Sequence, residues 1–204
     1  MQKNNVQQIQ LRENKLKKLS LSYYVNVQDT DIALLFLSPT LNPIKYFHQL
    51  KSICIDRNYT LVVPTQIGNT QDTELCIDNV LNVVKDVKDR FNVKKIYISG
   101  LSGGGRTAAI IGCTWPNLFQ RIITICGTHP ITPFMNTKDI IDSKVTIHTV
   151  TGSKDKLRKE CKFLHEYCFN ILPNVTSYHE IQNLGHEIPN DVDLNKLFNE
   201  IENF

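Results

Sequence analysis

Lys95-Ile96-Tyr97-Ile98-Ser99-Gly100-Leu101-Ser102-Gly103-Gly104-Gly105-Arg106-Thr107-Ala108-Ala109-Ile110-Ile111 decides the reading of this chain. It opens as a β-like run, Lys95 to Ser99, and continues as a helical pattern from Arg106. Between them, Gly100 to Gly104 reads G-x-S-x-G. Strand, glycine-flanked serine and helix together specify a sharp turn with the serine exposed at its tip. Only small neighbours let the chain fold back so tightly, which is why glycines stand two before and two after Ser102. The hydroxyl then lies near a helix N-terminus, where backbone N–H groups and the helix dipole favour developing negative charge. The alternative is a plain glycine turn, or one in which Gly103-Gly104-Gly105 cradles a phosphate. No G-x-G-x-x-G and no G-K-[ST] follows, so dinucleotide and P-loop readings have little support.

Working outward, 204 residues suit one domain with a substantial core. We expect a polar extension over residues 1–18, loose or forming an extra helix, and a single domain over 19–204. Leu19 to Val27 reads as a strand, Gln28 to Asp31 as a turn, and the apolar run Ile32 to Leu37 as a strand buried on both faces. These two strands are read as an initial hairpin. Helices are expected over Ile44 to Arg57, Glu74 to Phe91, up to about Cys113, from about Leu157 to Ile171, and over Asp191 to Asn203, with Asp191 as N-cap. Strands are expected over Thr60 to Val63, Arg121 to Cys126, Val145 to Thr151 and Val175 to Ile181. This alternation predicts an α/β fold with a mostly parallel central sheet and helices on both faces. Function in such sheets gathers at the C-terminal strand ends.

Those ends carry a serviceable set of partners for Ser102. The strand from Val145 ends in Gly152-Ser153-Lys154-Asp155, and the last strand ends in Gln182-Asn183-Leu184-Gly185-His186. A serine hydroxyl is a poor nucleophile until a base takes its proton. Histidine can take it and return it to the leaving group, and a carboxylate fixes the imidazole tautomer. Ser102, Asp155 and His186 are therefore the candidate catalytic residues. His129, in Gly127-Thr128-His129-Pro130, competes with His186, and Asp139 and Asp142 compete with Asp155. Asp155 also suits a turn or helix cap. The remaining histidines, His48, His148, His165 and His179, fall inside helices and strands and read as core or surface residues.

An oxyanion hole needs two donors. Gly103 N–H is one, and the loop after Ile32 to Leu37, Ser38-Pro39-Thr40-Leu41, should give the other. Proline has no N–H, which leaves Thr40 or Leu41, with Thr40 preferred. Candidate pocket residues are Leu41, Leu101, His129, Phe134 and Met135, with Ile131 beside them. The span from Thr128 to Lys144 has room for little more than one helix, so a minimal lid or none is expected.

Bulk properties narrow the classes. Apolar residues make up 41% and charged residues 21%, an ordinary globular balance. The net charge of +3 is too small and scattered to predict nucleic-acid binding. No run reaches membrane-span length. Met1-Gln2-Lys3-Asn4-Asn5 is polar and lacks the apolar core of a secretion signal, so a cytoplasmic location is the expectation. The six cysteines are spread out with no C-x-x-C and read as small buried thiols rather than disulfides or metal ligands. No metal and no organic cofactor is expected.

The run Tyr97 to Arg106, then Trp115-Pro116-Asn117-Leu118-Phe119, Ile125-Cys126-Gly127-Thr128 and Gly185-His186-Glu187-Ile188-Pro189, resembles the α/β-hydrolase superfamily. Within it the likeness is to small esterases grouped with polyhydroxybutyrate depolymerases and feruloyl or acetylxylan esterases. It covers most of the chain from about Tyr23. Ser38-Pro39 stands where those relatives carry His-Gly. The resemblance implies a serine esterase acting on a small-molecule or short-chain ester. Thioesterase, amidase or peptidase, and acyltransferase chemistry run on the same triad. A non-catalytic binding protein of this fold and a phosphate-binding α/β protein are the alternatives from other classes.

Overall fold

The computed structural model describes residues 7–14, 19–128 and 136–204. Eight strands form one sheet: β1 (Gln7–Asn14), β2 (Leu19–Asn26), β3 (Ile32–Leu37), β4 (Thr60–Pro64), β5 (Lys95–Leu101), β6 (Arg121–Ile125), β7 (Thr146–Gly152) and β8 (Thr176–Ile181), in spatial order β1-β2-β4-β3-β5-β6-β7-β8. β1 and β2 pair antiparallel, as do β2 and β4, and every other pairing is parallel. The helices are α1 (Ile44–Asp56), α2 (Thr73–Phe91), α3 (Gly103–Thr114), α4 (Thr137–Ser143), α5 (Arg158–Ile171) and α6 (Asp191–Glu202).

The expected α/β architecture is present, with three corrections. Residues 7–14, read as loose or helical, form a strand. Ile9 and Leu11 alternate with polar residues and pack on the core, a period of two that the surrounding glutamines obscure. The initial hairpin is β1 with β2, not β2 with β3. β3 is buried along nearly its whole length and so takes a central slot between β4 and β5. Finally, Asn190 rather than Asp191 caps α6: its Oδ1 accepts from the Asp193 N–H at 3.0 Å, while Asp191 sits in the first turn.

Burial alternates along the strands and divides the core in two. Ala33, Leu35 and Leu37 of β3 with Ile96 and Ile98 of β5 face α2 and α3, where Val80, Val84, Ala108 and Ile111 meet them. Leu34 and Phe36 with Tyr97 and Leu101 face α1 and α6, against Phe47, Leu50, Leu197 and Phe198. Each fully buried Val, Leu, Ile or Phe among them contributes about 1.5–3 kcal/mol of apolar burial. The Arg57 guanidinium then ties α1 to α6 through Glu202 at 2.9 Å and the Asn195 carbonyl at 2.6 Å. That anchors the helix that follows the His186 loop. All six cysteines are buried thiols, none of them in a disulfide.

His148 is fully buried on β7 and satisfied on both sides: Nε2 with Thr146 Oγ1 at 2.8 Å and Nδ1 with Ser177 Oγ at 2.6 Å. Ser177 Oγ continues to His179 Nε2, whose Nδ1 meets Glu200 of α6. Burial, then the neighbouring His179 and Arg121 charges, pull the His148 imidazole down to about 3. The folded protein thus refuses a proton that an unfolded histidine accepts near pH 6.5. Its contribution to stability is complete above that pH and is lost as pH falls toward 3. Urea unfolding of wild type and His148→Asn between pH 6 and 4 should differ in slope by about 1.4 kcal/mol per pH unit, wild type being the steeper. Parallel pH curves would show that His148 is not the group responsible.

Candidate functional site

Ser102 follows β5 directly and occupies the N-cap position of α3 with φ 55° and ψ −121°. A residue with a Cβ rarely adopts this conformation, and the surrounding contacts show what enforces it. A Cβ on Gly100 would lie 2.4 Å from the Gly104 carbonyl carbon, and one on Gly104 would lie 2.0 Å from the Leu37 carbonyl oxygen. Glycines at these positions let α3 leave the sheet against the end of β3. The Ser102 N–H donates to the Ile125 carbonyl at 2.9 Å, and its own carbonyl accepts from Arg106 N–H at 3.0 Å. The half-buried serine is fixed by backbone on both sides, with its hydroxyl at the start of a helix.

Asp155 and His186 come together as the sequence anticipates. His186 Nδ1 lies 3.0 and 3.1 Å from the two carboxylate oxygens of Asp155. The Asp155 side chain is wholly buried, whereas 30% of the His186 side chain is exposed. Burial pushes the Asp155 carboxyl up, but the Leu157 N–H, the Cys126 thiol and His186 outweigh it and hold it below the usual carboxylate range. Asp155 Oδ1 accepts from Leu157 N–H at 2.9 Å, so the turn role and the partner role fall on one side chain.

The loop that delivers His186 folds back over β7. Lys154 N–H donates to the Leu184 carbonyl at 2.9 Å, and a Cβ on Gly152 would lie 2.2 Å from that same oxygen. Gly152 therefore has to lack a side chain for His186 to reach Asp155. Among the described residues, no hydrogen bond joins Ser102 Oγ to His186. Such contacts are often long without substrate and tighten in the complex.

Cys126, at the end of β6, is a site residue that sequence reasoning missed. It has φ 49° and is fully buried, and its thiol faces the Gly185 and Glu187 carbonyls at 3.6 and 3.8 Å, on either side of His186. Its place just past a parallel strand was a usable signal. Cys126, Asp155 and His186 offer possible metal-ligating atoms within 4.8 Å of one another. Asp155 and His186 are already bonded to each other, and burial followed by the Asp155 contact pushes the thiol up to about 12. What the distances show among the three is a carboxylate–imidazole pair with a thiol packed against it.

The loop after β3, from which an oxyanion donor was expected, bonds to itself. Thr40 N–H donates to Ser38 Oγ at 3.0 Å, and that hydroxyl donates to the Thr40 carbonyl at 2.8 Å. The N–H preferred from the sequence is therefore engaged locally. Of the expected pocket residues, Leu41 is 46% exposed, while Leu101 is buried in the core layer with Phe36 and Ile125. His129, Ile131, Phe134 and Met135 lie outside the described residues. So does part of the span expected to lack a lid, whose described residues are Thr128 and, from Asn136 to Lys144, α4 with its two caps.

No protein-family model matches the chain, and no curated protein matches it in sequence. Solved structures do match in shape. An S-formylglutathione hydrolase from Staphylococcus aureus superposes with a TM-score of 0.71 at 11% identity, covering 97% of this chain and 96% of that one. A predicted CIB-like hydrolase from Thermoplasma acidophilum gives 0.70 at 14% identity, covering 98% and 99%. An alpha-beta serine hydrolase homologue from Coxiella burnetii gives 0.67 at 11% identity, covering 94% of each chain. With the sheet order, the serine turn after β5 and these nearly end-to-end superpositions, the chain has the α/β-hydrolase fold.

Proposed function

We propose that this protein is a serine hydrolase that cleaves small carboxylic esters through an acyl-enzyme. The observation that carries the reading is the buried Asp155 carboxylate bonded to His186 Nδ1 at the same sheet edge as the strained Ser102. A binding protein has no need of a serine held at φ 55° or of a carboxylate that fixes an imidazole tautomer. The hydrolase names of the superposed structures agree with it.

In the proposed reaction Ser102 Oγ attacks the ester carbonyl carbon while His186 Nε2 takes the hydroxyl proton. The carbonyl π pair moves onto oxygen, giving a tetrahedral oxyanion that accepts from Gly103 N–H at the start of α3. His186 returns the proton to the departing alkoxide. Water then attacks the acyl-enzyme, losing its proton to His186, and Ser102 recovers one as the acid leaves. Asp155 keeps Nδ1 protonated throughout, so that Nε2 can act as base, and it stabilises the imidazolium. No step calls for a metal or an organic cofactor.

A fluorophosphonate probe located by mass spectrometry tests the nucleophile. Modification is expected at Ser102, abolished in Ser102→Ala and lost in His186→Ala. A folded wild-type protein that takes no label would sink the hydrolase reading and leave a binding role. Asp155→Asn tests the orienting role separately. The amide would donate toward Nδ1 and favour the wrong tautomer, and turnover of a p-nitrophenyl ester should fall by about 10⁴-fold. A loss below about tenfold would mean that another carboxylate holds His186.

A further inference from the structure

Thr40 N–H is bonded to Ser38 Oγ and Pro39 has no N–H, so of the backbone donors expected from the β3–α1 loop only Leu41 N–H is left. The Thr40–Leu41 peptide packs against Gly68, where a Cβ would lie 3.2 Å from Leu41 N and from the Thr40 carbonyl carbon. The same close approach brings in Asn69, the next residue of the β4–α2 loop. Its N–H donates to the Pro39 carbonyl at 3.0 Å, which fixes its backbone to the loop after β3. Its side-chain amide lies over Gly103: a Cβ built there would be 1.7 Å from Asn69 Oδ1, 2.5 Å from Cγ and 3.0 Å from Nδ2. Asn69 is exposed, and among the described residues neither end of its amide has a hydrogen-bond partner. We propose that the Asn69 side-chain amide is the second oxyanion donor, a catalytic residue that closes on the substrate oxygen opposite Gly103 N–H.

The inference rests on the hydrolase reading of Ser102. Rotation about Cβ–Cγ exchanges Oδ1 for the NH₂ group over Gly103 without moving the backbone. As Ser102 Oγ bonds to the acyl carbon, negative charge collects on the former carbonyl oxygen and Nδ2–H donates to it. When the carbonyl re-forms and the alcohol departs, that hydrogen bond weakens. Asn69 gives up no proton and forms no covalent bond. Because the bond strengthens only in the tetrahedral state, its loss should appear in kcat rather than KM.

Asn69→Ala should lower kcat on a p-nitrophenyl ester by about 10²- to 10³-fold with KM within about threefold. Affinity for an alkyl boronic acid, which forms a tetrahedral anionic adduct on Ser102, should fall by a similar factor. The melting temperature should stay unchanged, since the side chain is exposed. Asn69→Asp keeps the shape, removes the donor and adds a negative charge, so its loss should be at least as large. If wild type is labelled at Ser102 by a fluorophosphonate and Asn69→Ala keeps kcat within threefold, the donor is a backbone N–H and this inference is overturned while the hydrolase reading stands. If wild type is not labelled, both fall together.

Discussion

The backbone of Ser102 is the constraint around which the rest of this structure is arranged. A residue with a Cβ held at φ 55° and ψ −121° costs about 1–3 kcal/mol, and it persists only where its surroundings over-determine it. Here three elements do so. β6 accepts the Ser102 N–H at Ile125, α3 closes its first turn on the Ser102 carbonyl, and β3 presents the Leu37 carbonyl where any side chain on residue 104 would stand. Each belongs to the buried centre of the sheet, where Leu35, Leu37, Ile98 and Ile122 pack beneath α2 and α3. Relaxing the serine would mean moving α3 off the sheet, which would expose that apolar surface. The strain is small beside the burial that holds it.

The other left-handed residues follow a pattern. Seven non-glycine residues among those described have positive φ. Asn58, Asn92 and Lys144 follow α1, α2 and α4, where a helix commonly ends in this conformation. The remaining four, Gln66, Ser102, Cys126 and Asn183, each stand just past the end of β4, β5, β6 or β8. Backbone strain at the N-terminal edge of the sheet is thus routine helix capping. At the C-terminal edge it marks the points where the chain turns sharply to present side chains. That asymmetry is independent of any motif, and it selects the same edge as the G-x-S-x-G turn.

Much of this was legible in the sequence, for identifiable reasons. The parallel sheet follows from apolar runs alternating with helical periodicity, and Asp155 and His186 follow from asking which polar residues lie just past strand ends. What escaped had weak local signals. β1 carries only Ile9 and Leu11 as inward residues, too few to show a period among glutamines. The partners of β2 are set by which strand is buried on both faces, a property of the assembled sheet. Cys126 looked like a buried thiol, and it is one. Its relation to Gly185 and Glu187 comes from a loop more than fifty residues away. Asn69 sits in a polar loop without a motif, and only the approach of that loop to Gly103 gives it meaning.

The short segment Ile125-Cys126-Gly127 registers the two halves of the site against each other. Ser102 is fixed by β5 and α3, and His186 by turns beyond β7 and β8, so nothing in either unit alone sets the distance between the two side chains. Ile125 holds the Ser102 N–H through its carbonyl. Cys126 faces the carbonyls on either side of His186. Gly127 lies so close to the serine that a Cβ on it would meet the Ser102 carbonyl at 2.6 Å, and its own carbonyl accepts from the Cys161 thiol of α5 at 3.7 Å. Three consecutive residues therefore touch the serine turn, the histidine loop and the helix that follows Asp155. Soft sulfur contacts at 3.6–3.8 Å hold the histidine side less tightly than the 2.9 Å backbone bond holds the serine side. The histidine loop takes its firmer support from the other side, where Lys154 N–H donates to the Leu184 carbonyl at 2.9 Å and Asp155 meets His186 Nδ1 at 3.0 Å, so the Cys126 contacts steer the loop toward the serine turn while β7 and Asp155 carry its weight.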